Sequence, residues 1–177
     1  MPFSAFAFSV DLADVNRFAH RYRAAHSFRG INLDDYSDGT KEGYSGLFLV
    51  LMMWSAFEQF LKVIGQNQST YTPPSAYDPE KLLADVRAIP SSEGFYALVD
   101  QKATGPTKAQ TALFMSGGSP NVTYLASSIR HIFVHGFLTP NANQSNPTEV
   151  ATICNLICDF HMSVMSQEFK SRVSAVI

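Results

Sequence analysis

Apolar side chains recur at three- and four-residue steps along most of the chain, and no run alternates them at a period of two. Leu12, Val15, Phe18, Ala19 and Tyr22 mark the inner face of a helix predicted over residues 11–29. Asp11 and Asp14 fall in its first turn, where the positive end of the helix dipole favours acids. The densest apolar run, residues 46–57 (GLFLVLMMWSAF), carries no charge and is closed by Glu58. A membrane-spanning helix needs about 20 such residues, so this run predicts a helix buried in a protein core. It is expected to begin near Tyr44 or Ser45 and to stop at Gly65, a residue suited to the left-handed cap. Residues 32–43 and 67–77 are polar or proline-rich and read as loops.

Three later helices carry their own start signals. Asp78-Pro79, Ser119-Pro120 and Asn146-Pro147 each set a capping residue before a proline at the first helical position. They predict helices over residues 79–89, 119–135 and 146–173, the first halted by Pro90 and the second by Gly136. Shorter helices are predicted over residues 92–102 and 107–115. No internal repeat is visible. The expectation is one all-α domain spanning 1–177, a helical bundle of four to five main helices with an irregular middle.

Composition sharpens this picture in two ways. Charged residues are only 16% of the 177, while Phe, Tyr and Trp number 14, 7 and 1. So little charge for so much apolar material predicts that part of the surface is covered by a second copy, a homodimer. Thirteen Lys and Arg against fifteen Asp and Glu give a net charge of −2, which excludes binding to nucleic acid by bulk electrostatics. Any RNA or nucleotide must therefore be held by a local site. The opening MPFSAFAFSVDLADV has no basic region and no cleavage pattern, so no leader and no membrane partner are expected, and the expected compartment is cytoplasmic.

The chemistry concentrates in Arg130-His131-Ile132-Phe133-Val134-His135, followed by Gly136. Arg offers a permanently charged fork that suits a phosphate, and His exchanges protons near neutral pH. Metal-free cleavage of a phosphodiester needs both, a proton shuttle and a cation for the added negative charge. On an ideal helix Arg130 and His135 stand about 140° apart, so they converge only if the helix ends near His135 or the Arg side chain reaches round.

At this segment the chain resembles the HEPN family, all-α domains marked by an Arg, four to six residues and a His, here Arg130 and His135 with polar His131 directly after the Arg. The resemblance implies a metal-independent endoribonuclease that needs no cofactor and dimerises so that two Arg-His sets line one cleft. Many such proteins are the toxin of a toxin–antitoxin pair. Others bind nucleotide, RNA or a protein partner without catalysis, and that alternative stands beside the first. Arg130 would stabilise the phosphate, His135 would act as acid or base, and His131 would assist. Some members are regulated by an antitoxin that modifies a Tyr two positions after the His. Here that position is Phe137, which has no hydroxyl.

Other residues have competing readings. Glu58 is a candidate partner for Arg130 or for an imidazole, against a plain helix pair with Lys62 four residues on. His131 and His135 have the i, i+4 spacing of a zinc pair but lack the Glu of a zinc-protease motif. Cys154, Cys158 and His161 share one helix face, where a packed core outweighs a metal site. His20, Arg21, Tyr22, Arg23, His26 and Arg29 make the first helix the most basic stretch, either a widened RNA cleft or a solvated face.

Overall fold

The computed structural model describes residues 11–174. Residues 1–10, the greater part of the opening segment expected to hold no leader, lie outside the described residues. The described chain is all-α, with seven α-helices and no strand. They are α1 (Leu12–Ser27), α2 (Asp38–Ile64), α3 (Pro79–Arg87), α4 (Ser92–Lys102), α5 (Gly105–Met115), α6 (Thr123–Val134) and α7 (Pro147–Ser174), with a 3₁₀ turn at Ala142–Gln144.

Helix α2 is long and apolar enough to cross a membrane by length and composition alone. Its apolar face is instead spent on protein: Leu47, Val50, Met53, Phe57, Phe60 and Val63 are fully buried. Each large side chain so buried is worth about 1.5–3 kcal/mol. Helices α1, α6 and α7 supply the cover. α1 runs antiparallel to α2, since Asp14 meets Gln59 and Lys62 while Arg21 reaches the Ser55 carbonyl. α6 is antiparallel too, because Ser127 pairs with Gln68 beyond the far end of α2 while Phe133 packs on Phe48. α7 runs parallel to α2: Gly46 meets Ala151 and Cys154, and about three turns on Phe57 packs edge-on against His161. The short helices α3, α4 and α5 pack on α6, α7 and one another, burying Leu83, Val86, Phe95, Tyr96, Val99 and Phe114.

Two helix starts differ from the sequence reading. α2 begins at Asp38, not near Tyr44, because the Ser37 hydroxyl accepts from the Thr40 N–H at 3.3 Å and caps a polar first turn. An apolar pattern marks only the face that is buried, so a polar turn preceding it goes unseen. α6 begins at Thr123, not at Ser119. The Ser119 hydroxyl is drawn off to Glu80 at 2.9 Å, and the Asn121 side-chain oxygen takes the Thr123 N–H at 3.0 Å instead. The other starts agree to within a turn: Asp78 accepts from Lys81 N–H, and Asn146 accepts from Thr148 N–H, each at 3.0 Å. Gly65 closes α2 with φ 70°, the left-handed conformation that costs glycine little.

Asp14 does more than complement a dipole. It is only 4% exposed, and its Oδ1 accepts from Arg17 and Lys62 at 2.7 Å and from Gln59 at 3.3 Å, pinning α1 to α2. The Lys62 hydrogen bond and charge hold its carboxyl below the ordinary carboxylate range, against the opposing effect of desolvation.

Two predictions follow from this packing. A Cβ on Gly43 would lie 2.5 Å from Pro140 Cβ and 2.9 Å from the Pro147 carbonyl oxygen. Gly43→Ala is expected to lower stability by about 1–2 kcal/mol in urea unfolding, the overpacking cost outweighing about 1 kcal/mol of gained helix propensity. A raised midpoint would mean that the α7 start yields freely. For Asp14, the lowered folded pKa means that its stabilisation is complete above the unfolded value of about 3.9 and is lost as pH falls through the folded one. Asp14→Asn should be less stable at pH 7 and show a flatter acid limb in unfolding free energy against pH. Parallel limbs would exclude Asp14 as an acid-sensitive tie.

Candidate functional site

α6 is short, and its two faces are divided sharply. Leu125, Ala126, Ile129 and Ile132 go into the core, leaving Ser127, Arg130 and His131 on the opposite side one turn apart. That side faces a cleft of about 210 Å³ lined by Trp54 and Glu58 of α2, Gln68 of the following loop, Thr104 and Thr107 at the start of α5, and Ser127, Arg130 and His131. The Gln68 side-chain amide donates to the Ser127 hydroxyl at 2.7 Å and ties the cleft wall to α6. Drug-sized ligands occupy pockets of about 300–1,000 Å³, so this space suits a phosphate group rather than a whole nucleoside.

Arg130 is half-buried, and among the described residues its guanidinium has neither a hydrogen-bond acceptor nor an ion-pair partner. Five donors on a permanent charge, unpaired at the wall of a cleft, are available to an anion. Glu58 lines the same cleft and also lacks an ion pair among the described residues. The simple pairing of Glu58 with Lys62 is not formed, because Lys62 is turned to Asp14. Nor does Glu58 reach Arg130 as an ion pair.

His135 stands elsewhere. α6 remains regular up to Val134, and the chain then closes in a Schellman turn, with Gly136 N–H on the Phe133 carbonyl at 2.9 Å and Phe137 N–H on that of Ile132 at 3.1 Å. Gly136, at φ 75°, turns the chain only after His135. The helix end therefore does not swing His135 into the cleft beside Arg130. Its imidazole packs instead against that of His131, ring centroids 4.5 Å apart. The order is cleft, His131, His135, so His131 is the imidazole that lines the Arg130 cleft.

The periodicity of α6 could have shown Ser127 with Arg130 and His131, because i, i+3 and i+4 share a face. Gln68, Thr104 and Thr107 come from loops and a helix start far off in sequence, and no local pattern marks them. Trp54, one turn before Glu58, is 3% exposed and forms the cleft floor.

Other candidates are placed differently. Cys154, Cys158 and His161 are buried in the core, where desolvation pushes both thiols up and takes His161 down to about 4. The His161 Nδ1–H donates to the Ile157 carbonyl at 2.7 Å, and its ring packs against Phe57. No group of three or more metal-ligating side chains occurs among the described residues. None of the basic residues of α1 lines the Arg130 cleft. Arg21, Arg23 and Arg29 donate to backbone carbonyls, while Tyr22 and His26 border a separate groove of about 760 Å³ against α7. A further groove of about 550 Å³ lies at the α2 and α7 starts. Both are larger than the Arg130 cleft, yet neither holds an unpaired guanidinium beside an imidazole.

Comparison of the chain with protein-family models, with curated proteins and with solved structures finds no match.

Proposed function

We propose that the protein is a HEPN-like, metal-independent endoribonuclease acting in the cytoplasm, with the Arg130 cleft as its active site. The observation that carries the reading is an Arg beside His131, without a protein partner among the described residues, in a cleft of phosphate size. The antiparallel packing of α6 on a long apolar α2 agrees with a HEPN-like bundle. In the proposed reaction a 2′-hydroxyl of RNA loses its proton to an imidazole and attacks the adjacent phosphorus. Arg130 balances the extra negative charge on the phosphate oxygens. The 5′-oxygen leaves with a proton from a second imidazole, giving a 2′,3′-cyclic phosphate and a free 5′-hydroxyl. His131, in the cleft, carries one of these two proton transfers, and the other falls to a His135 supplied by a second copy of the chain.

A homodimer supports this chemistry. Val134 and Phe137, 53% and 56% exposed, lie at the α6 end with the partly exposed Phe48 and Phe133 beside them. Lys102 caps the Phe137 ring at 5.2 Å. Burying this patch against its own copy would bring a second His135 near each cleft. Phe137 in place of a modifiable Tyr argues against regulation through that position, although an antitoxin protein acting by contact fits equally well. The second reading, a non-catalytic module for nucleotide, RNA or protein, is favoured by one feature: Glu58 sets a negative charge in the cleft of a chain that is itself net negative.

Arg130→Ala, His131→Ala and His135→Ala are each expected to cut RNA cleavage about 10²–10⁴-fold while leaving helicity unchanged, and added chelator should have no effect. Cleavage that survives all three, or that a chelator abolishes, sinks the mechanism; RNA binding without cleavage by wild type selects the module. Light scattering should give about 39 kDa, twice the chain mass of 19.5 kDa, and Phe137→Glu should halve it. A wild-type monomer at all accessible concentrations removes the shared site.

A further inference from the structure

The pairing of His131 with His135 has a second chemical consequence. The two imidazoles sit one turn apart at the exposed end of α6, and among the described residues neither has a hydrogen-bond or ion-pair partner. With metal–nitrogen bonds of about 2.0–2.1 Å, two imidazoles at right angles around an ion have ring centres roughly 4.5 Å apart, and two at the tetrahedral angle roughly 5.2 Å. The observed centroid separation is 4.5 Å. Both rings are exposed, so small rotations about their own side-chain bonds turn a nitrogen of each toward one point. The position at the carbonyl end of the helix also favours a cation.

We propose that His131 and His135 form a two-imidazole chelate for a borderline divalent transition-metal ion, Ni²⁺ or Cu²⁺ by geometry, and that this ion inhibits the protein. Two imidazoles at this centroid separation can fill adjacent positions of an octahedral or tetragonal ion, water filling the remaining positions. Ions that prefer oxygen, such as Mg²⁺, find no carboxylate set here and are excluded. The bound ion takes the nitrogen lone pairs that accept protons, so His131 and His135 cannot be free for proton transfer while it is present. This inhibitory consequence rests on the reading of the cleft as a nuclease site; the chelate itself does not.

Isothermal titration of untagged protein with NiCl₂, with no RNA present, tests the chelate by itself. Wild type should bind one ion per chain at the pair, and His131→Ala and His135→Ala should each weaken that binding at least tenfold, because both ligands are required. His26→Ala, which removes an exposed imidazole stacked on Tyr22, should bind as wild type does, and MgCl₂ should give no binding heat. No Ni²⁺ binding by wild type, or undiminished binding in either single variant of the pair, overturns the site. RNA cleavage measured with and without NiCl₂ then tests inhibition. Cleavage at an unchanged rate with the ion bound overturns the inhibitory role, whereas a protein that never cleaves RNA fails the nuclease reading and leaves the chelate standing on its titration.

Discussion

The close approach of α2 and α7 is the constraint on which the rest of the structure depends. Gly43 and Gly46 lie where a side chain would meet Pro140, the Pro147 carbonyl, Ala151 and Cys154, so the two helices touch almost backbone to backbone. Two small residues three positions apart put that contact on one face of α2 and leave the other faces apolar. Those faces then have to be covered, and α1 and α6, both antiparallel to α2, cover them. Leu47, Val50, Met53, Phe57 and Phe60 are fully buried as a result, and a helix with the composition of a membrane span becomes the central element of the described fold.

The site inherits its geometry from that arrangement. Packing α6 antiparallel on α2 puts Ile129 and Ile132 into the core, and the helical period then turns Ser127, Arg130 and His131 toward Trp54 and Glu58. Charge bookkeeping decides which groups remain available. Lys62 is held by the buried Asp14 at 2.7 Å, so it does not neutralise Glu58. Arg130 is left with no protein acceptor among the described residues. The short range of these effects also explains the division between the imidazoles. One helical turn separates a His that lines the cleft from a His that only touches its neighbour.

Most of the helices were legible in the sequence because their signals are local. The Asp78-Pro79 and Asn146-Pro147 starts, the Gly65 and Gly136 ends and the apolar spacing of α1 depend on residues within a turn of each other, where backbone hydrogen bonding and the 3.6-residue period act directly. Ser119-Pro120 carried the same signal and failed, since Glu80, 39 positions away, competes for the Ser119 hydroxyl. The polar start of α2 was missed because a solvated turn has no apolar spacing to read. Of the residues singled out by type and spacing, Arg130, His131 and Glu58 line one cleft, whereas the expected meeting of Arg130 with His135 was not realised within one chain.

By itself, then, the sequence determined an all-α chain, the positions of its main helices and the face each would bury, because propensity, capping and amphipathic period are properties of neighbouring residues. Tertiary structure alone decided that α2 and α7 run parallel, that Asp14 claims Lys62, and that Gln68, Thr104 and Thr107 complete the wall around Arg130. Those outcomes rest on contacts between residues tens of positions apart. Such contacts are chosen by which surfaces fit and which charges can be paired once the helices are packed, and no local pattern along the chain encodes that choice.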